Sequence, residues 1–384
     1  MNVVRRRLRF LWCRRSSSHV SEPRRGVPGT CIPDASAARH PHLKREMWGT
    51  RIRGSDTGLA GRGKLVRMHV RWLVVGIGDI TRKRVIPAIL REDRSVLAGI
   101  VTRDVSKASA YPGVASWTTL DAALAADALQ SDAGGAFDAV YIATPVVMHA
   151  ELAIAALDAG KAVLCEKPVA MNFAEAQSIV AASERTGKLF GVSYYRRLYP
   201  KLARAKELLA QGVIGQPVFA EGIYHGWLES EERGWLRDPK MAGGGPLYDV
   251  ASHRIDALNF LFGKPERAVG LRSNALHALA VEDSATAVIG YAGGVQAVVD
   301  ARWNSRVPRD EFRIVGTEGE MNLTPLNGPT LRWPGGEEEL PTAENTHAPL
   351  IADFVAGILD GKPLVAPGHQ AIWTDWVTEQ VMKG

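Results

Sequence analysis

From residue 70 onward the chain alternates apolar runs with amphipathic stretches. Residues 70–79 (VRWLVVGIGD) are apolar up to Gly76, and a helical pattern follows in RKRVIPAILRE. Further apolar runs occupy 95–104, 136–145, 161–168 and 189–195. Between them, 120–129, 149–160 and 172–187 place apolar residues at helical spacing, and the last two close on glycine, a common helix stop. Strand followed by helix, repeated along the chain, predicts a parallel sheet with helices on both faces. Ligands of such sheets bind at the carboxyl ends of the strands. Gly76, Gly78, Thr102, Pro145 and Lys167 all fall at those ends.

After about residue 190 the rhythm changes. One helix is predicted over 199–212. Strand-like runs then follow one another without intervening helices, and Gly293-Gly294 reads as a hairpin turn between two of them. The exception is 245–263 (GPLYDVASHRIDALNFLFG), which has apolar residues at helical spacing. This half predicts an open antiparallel or mixed sheet with one covered face.

Charge changes the picture only at the start. The 384 residues carry a net charge of +6 and are 46% hydrophobic, enough for two cores. Residues 1–68 hold 16 Lys and Arg against 4 Asp and Glu, which leaves 31 against 37 for the remainder. The folded body is therefore mildly acidic, and a nucleic-acid role would rest on the leading segment alone. That segment has no acidic residue before Glu22 and is rich in Arg, Ser, Pro and Gly, the composition of disorder. It reads as an upstream start ahead of Met68, or as a mitochondrial transit peptide; a twin-arginine signal lacks its apolar region. No run of about 18 apolar residues signals a membrane span. Cys13, Cys31 and Cys165 form no metal or disulfide spacing, so no metal is expected, and a reducing cytoplasm fits.

Two clusters carry the chemistry. Gly76-x-Gly78 lies between a strand and a helix, where the first glycine permits a tight turn and the second lets a pyrophosphate approach the helix N-terminus. Thr81 stands where the dinucleotide fingerprint has its third glycine. At the end of the second strand, IVTRD places Thr102 and Arg103 where an acid would bind the adenosine ribose; a hydroxyl and a guanidinium suit the extra phosphate of NADP over NAD. Asp104 is the alternative ribose acid. In the second cluster, GGGPLYDVASH, Asp249 and His253 are four residues apart on one face of an apolar helix, within reach of a common ligand.

Together, GIGDI…VIPAI, IATP…H, CEKPVA, GWLRDPKMAGGGPLYDVASHRID and VGTEGEM resemble the Gfo/Idh/MocA family of oxidoreductases over residues 69–384. The resemblance implies a Rossmann dinucleotide-binding domain at 68–192 and an α/β domain at 193–384, whose open sheet often forms an oligomer interface. Residues 1–67 are left as an extension. It also implies hydride transfer between NAD(P) and a sugar, cyclitol or keto-sugar, in a homodimer or homotetramer.

Lys167 matches the lysine of the family's Glu-Lys-Pro motif, and Asp249 and His253 match its polar pair. In that arrangement His253 exchanges the proton of the reacting hydroxyl, Lys167 stabilises charge on the same oxygen, and Asp249 orients His253 or binds substrate. Asp79, Ile80, Thr144, Pro145, His149 and Glu166 join the glycines, Thr102, Arg103 and Lys167 as cofactor contacts. The Lys167–Pro168 peptide is expected to be cis. Arg197, Trp235 and Arg237 are expected at the substrate, with Tyr194 and Tyr248 along the pocket. Val146 and Ala251 depart from the family's usual Asn and Gly. Two other readings remain open: a redox-neutral glycosidase that uses NAD transiently, and a dinucleotide-binding sensor.

Overall fold

The computed structural model describes residues 68–384 except 131–133 and 229–233. The expectations for residues 1–67 lie outside these. The apolar runs form a six-stranded parallel sheet from β1 (Val70–Val75), β2 (Ser95–Val101), β3 (Ala115–Trp117), β4 (Ala139–Ile142), β5 (Ala162–Cys165) and β6 (Phe190–Val192). Its order, β3-β2-β1-β4-β5-β6, is that of a Rossmann domain. Strands β4 and β5 are buried on both faces, as their unbroken apolar runs require. β3 gave no such signal, because it is a three-residue edge strand that is mostly exposed. The helix Phe173–Thr186 shows how locally the ends are set. Asn172 accepts from the Glu175 amide at 2.9 Å, Glu175 reaches back to the Met171 amide, and Gly187 closes the helix at φ 64°.

A second sheet follows, built from β7 (Pro217–Trp227), β8 (Pro265–Ser273), β9 (Ser284–Tyr291), β10 (Gln296–Arg302), β11 (Asn304–Gly316), β12 (Glu320–Asn322), β13 (Thr330–Trp333) and β14 (Gly336–Glu339). Its order is β14-β13-β12-β11-β7-β10-β9-β8. Only β7 and β10 pair in parallel, so the sheet is mixed, and Gly293 and Gly294 turn the chain between β9 and β10. One face is covered by the helix Ser252–Phe262, which buries Ile255 and Leu258 with Ala287, Ala297 and Phe312 of the sheet.

Residues 193–384 do not make a self-contained second body. The helix Ala348–Asp360 returns to the first sheet and buries Leu350, Ile351, Phe354 and Val355 among Trp72, Val74 and Ile89. The last helix, Trp373–Lys383, lies against β8, the helix Ser252–Phe262 and the helix Phe173–Thr186. The chain end therefore ties the two sheets together. Among the described residues no helix is long and apolar enough to cross a membrane.

The Phe354 ring lies 5.5 Å from Trp72 and closes over Gly191. Phe354→Ala is expected to destabilise the protein by about 3–5 kcal/mol. Urea unfolding measures this; a loss below 1 kcal/mol would mean that the returning helix is not part of the first core.

Candidate active site

The dinucleotide turn is set by two glycines with different duties. Gly76 has φ +93°, and a Cβ there would lie 2.5 Å from the Ala143 carbonyl oxygen, so the turn leaving β1 rests on the chain leaving β4. Gly78 has open space where its Cβ would be, the room that a phosphate needs beside the backbone. Thr81 does the work of the missing third glycine differently. Its buried hydroxyl accepts from the Gly78 amide at 2.8 Å and donates to the Gly78 carbonyl at 2.9 Å. Asp79 is tied back by Arg82 at 2.6 Å and Lys83 at 3.0 Å, and Ile80 stands partly exposed. These residues fit a bound dinucleotide.

At the end of β2, the Asp104 carboxylate accepts from both the amide (3.0 Å) and the hydroxyl (2.6 Å) of Ser106, capping the short helix Val105–Ala108. Those hydrogen bonds hold its pKa below the usual carboxylate value. Thr102 is buried, with its hydroxyl 3.3 Å from the Asp104 backbone. Arg103 is exposed and forms no ion pair among the described residues.

His149 turns both ring nitrogens to backbone carbonyls. Its Nδ1 lies 2.9 Å from the Pro168 carbonyl and its Nε2 lies 2.9 Å from the Thr144 carbonyl. Burial lowers its pKa despite both carbonyls. The ring joins the Thr144–Pro145 turn after β4 to the Lys167–Pro168 turn after β5, a structural duty that consumes both nitrogens.

The Lys167–Pro168 peptide is cis. Glu166 points inward: Tyr141 donates to its Oε1 at 2.6 Å, Ser193 donates at 3.2 Å, and His347 Nε2 lies 3.5 Å away. Burial works against its charge, but the His347 and Tyr141 contacts outweigh it and lower its pKa. Lys167 points the other way, across to the second sheet. Its Nζ donates to the Asp249 carbonyl at 2.8 Å and to the Asp249 Oδ1 at 3.0 Å. The loop beyond is held by Asp375, which accepts from the Ala170 amide at 3.2 Å and whose pKa burial pushes up to about 8.

Asp249 sits on a π-helical turn, Leu247–Ala251, that leads into the helix Ser252–Phe262. His253 is the second residue of that helix, 7% exposed and packed edge-on to Tyr194 and Tyr195 at 6.1 and 5.3 Å between ring centres. Burial, followed by the positive charges of Arg196, Lys167 and Arg254, pushes its pKa well below the ordinary value. It is a neutral imidazole at neutral pH, and its buried Nδ1 has no hydrogen-bond partner.

The two arginines of SYYRR are placed differently, and Arg197, expected at the substrate, is the one held inside the protein. Arg197 is 1% exposed and forms a bidentate pair with Asp256 (2.7–3.1 Å), so it is a structural residue and cannot meet a substrate. Arg196 is the residue left over. Its Nε donates to Asn327 at 3.0 Å, its guanidinium lies over Tyr195, and its buried Nη1 has no partner. Tyr248 is buried against Gly243 and Gly244. Trp235 is 40% exposed on the turn Gly234–Arg237, and the following residues, Pro239–Ala242, pack on Val146–Met148 beside the cofactor rim.

The arrangement is that of a dinucleotide-dependent oxidoreductase: a Rossmann rim, a lysine crossing from it, and a neutral histidine beyond. Residues 70–194 match the oxidoreductase family with NAD-binding Rossmann fold, and residues 202–322 match the GFO/IDH/MocA C-terminal domain. The chain is 29% identical to 1,5-anhydro-D-fructose reductase of Ensifer adhaerens over 79% of this chain and 92% of that protein. It is 31% identical to oxidoreductase P35 of Formosa agariphila over 67% and 79%. The crystal structure of aldose-aldose oxidoreductase from Caulobacter crescentus superposes with a TM-score of 0.72 at 21% identity, covering 82% of this chain and 97% of that one. The chain belongs to the Gfo/Idh/MocA family and is an NAD(P)-dependent oxidoreductase.

The two glycines make opposite predictions. Gly76→Ala is expected to destabilise the fold, whereas Gly78→Val should leave the melting temperature unchanged and abolish nicotinamide cofactor binding, read by fluorescence titration. Unchanged binding in Gly78→Val would remove the phosphate from this turn.

Proposed function

We propose that the protein transfers hydride between NADP and a sugar, cyclitol or keto-sugar, with Lys167, Asp249 and His253 around the reacting oxygen. The observation that carries this is the Lys167–Asp249 contact at the carboxyl end of β5, with the enclosed neutral imidazole of His253 on the same element as Asp249. The name of the Ensifer relative supports a sugar-type substrate. The nicotinamide cofactor, when bound, supplies or accepts the hydride.

In the oxidation direction, His253 takes the hydroxyl proton as the C–H bond breaks and the C=O bond forms. Its neutral state is the one required to accept a proton. The Lys167 ammonium, held by Asp249, donates a hydrogen bond to the oxygen as negative charge develops, inside a site largely closed to water. Arg196 adds a donor that lacks an acceptor within the protein. In reduction His253 returns the proton. NADP is favoured over NAD because Asp104 is committed to capping, while Arg103 stands free beside Thr102.

A homodimer or homotetramer is proposed through the uncovered face of the second sheet. Val269 and Leu271 on β8 and Val288 on β9 are 65%, 79% and 42% exposed there. Val269 pairs with Val288, and Val288 with Val298, in one cross-strand row. Such an apolar row on an open sheet suits a second copy of the chain.

The test is nicotinamide absorbance with NADP and NAD against sugars, inositols and keto-sugars, in both directions. Turnover of one compound supports the proposal; tight cofactor binding with no turnover counts for the glycosidase or sensor reading. His253→Ala should lower turnover by about 10²–10⁴ while cofactor affinity is retained. Full activity in that variant would exclude His253 as the base. Arg103→Ala should weaken NADPH binding far more than NADH binding; equal losses would remove the NADP preference.

A further inference from the structure

We infer that Glu282 is a positioning residue whose carboxyl holds the glycine turn before Asp249 and thereby sets where Asp249 meets Lys167. The inference rests on the reading that Lys167 and Asp249 belong to the reaction site.

Glu282 lies two residues before β9 of the second sheet and is 4% exposed. Its Oε1 accepts from the Gly245 amide at 2.8 Å and from the Leu247 amide at 3.1 Å. These N–H groups open the helical segment, where no preceding helical carbonyl can take them. The Gly245 carbonyl in turn accepts from the Asp249 amide at 3.0 Å. Asp249 then receives Lys167 through both its carbonyl and its carboxylate. A continuous path of hydrogen bonds thus runs from Glu282 through Gly245 and Asp249 to Lys167.

Steric contact points the same way. A Cβ on Gly245 would lie 2.0 Å from the Glu282 carbonyl oxygen, and one on Gly244 would lie 2.5 Å from the Tyr248 ring. The glycines let the turn press directly on the Glu282 backbone, which brings the Glu282 carboxyl within reach of the Gly245 and Leu247 amides.

The second oxygen behaves differently. Oε2 is buried without a partner, and burial pushes the carboxyl pKa up. A group with one oxygen accepting two amides and a second that accepts nothing can be copied by an uncharged amide. Glutamine should therefore replace Glu282, whereas methionine, of similar length but without a hydrogen-bonding oxygen, should not.

The experiment compares Glu282→Gln and Glu282→Met in the full chain by two independent readouts. The first is the rate of Lys167 acetylation by acetic anhydride without cofactor, followed by mass spectrometry. Lys167 should label several-fold faster in Glu282→Met and at the wild-type rate in Glu282→Gln. The buried lysines Lys161 and Lys201 should stay protected in both; labelling of Lys167 no faster than theirs in folded Glu282→Met would overturn the inference.

The second readout is steady-state kinetics. Glu282→Met should lose about 10–100-fold in kcat, the penalty of a small misplacement of a reacting group, with NADPH affinity and KM little changed. Glu282→Gln should retain kcat. Loss of kcat in glutamine equal to that in methionine, or wild-type labelling and kcat in methionine, overturns the inference. Should Glu282→Met not fold, Glu282→Asp, one methylene shorter, takes its place with the same expectations. If the wild-type protein turns over no sugar, the functional reading fails, and the labelling comparison alone decides the role of Glu282.

Discussion

The contact between Lys167 and Asp249 is the constraint on which the site depends. It joins the end of β5 in one sheet to the π-helical turn in front of the other, and both side chains are only 14–15% exposed. Removing one partner from such an enclosed pair leaves a charge without its counterpart, a loss of about 3–5 kcal/mol in comparable cases. Much of the surrounding structure keeps these two atoms in reach. His149 fastens the neighbouring turns of the first sheet, Asp375 holds the loop after Pro168, and the glycines at 243–245 let the second element approach closely.

The electrostatics of the cleft follow from how its charges are matched. Lys167 has Asp249, Arg197 has Asp256 and Arg254 has Asp310. Glu166 is satisfied by Tyr141 and Ser193, with His347 alongside. His253 lies within this set as an uncharged ring because burial and the nearby cations both disfavour its protonation. Arg196 has no carboxylate partner among the described residues, and its buried Nη1 is left without an acceptor.

The sheet-forming runs, the glycines at the end of β1 and the Asp249/His253 pair were legible because each rests on local pattern: apolar periodicity, glycines at a strand end, a polar pair in an apolar helix; that Lys167 comes to Asp249 followed only from the family resemblance. What escaped was set by distant packing. β3 is too short and too exposed to leave a periodic signal. The return of the helix Ala348–Asp360 to the first core could not be inferred from its own sequence, and it brings His347 to Glu166 from the far end of the chain. SYYRR gives no means of telling which arginine is bound by a carboxylate; Asp256 decides it by capturing Arg197 across the core. His149 follows a turn at the cofactor rim, yet two backbone carbonyls claim its ring. Glu282 carries no motif at all, and only its place beside Gly245 reveals a duty.

Hydride transfer to or from a nicotinamide is the chemistry proposed for the place where Lys167 meets Asp249. The most direct measurement incubates the protein with NADPH deuterated at the transferable position of the nicotinamide and a panel of keto-sugars, then analyses the products by mass spectrometry and NMR. The account predicts one deuterium on the carbon that gains the hydroxyl. Products without deuterium, or no reduced product from cofactor-saturated protein, would contradict it.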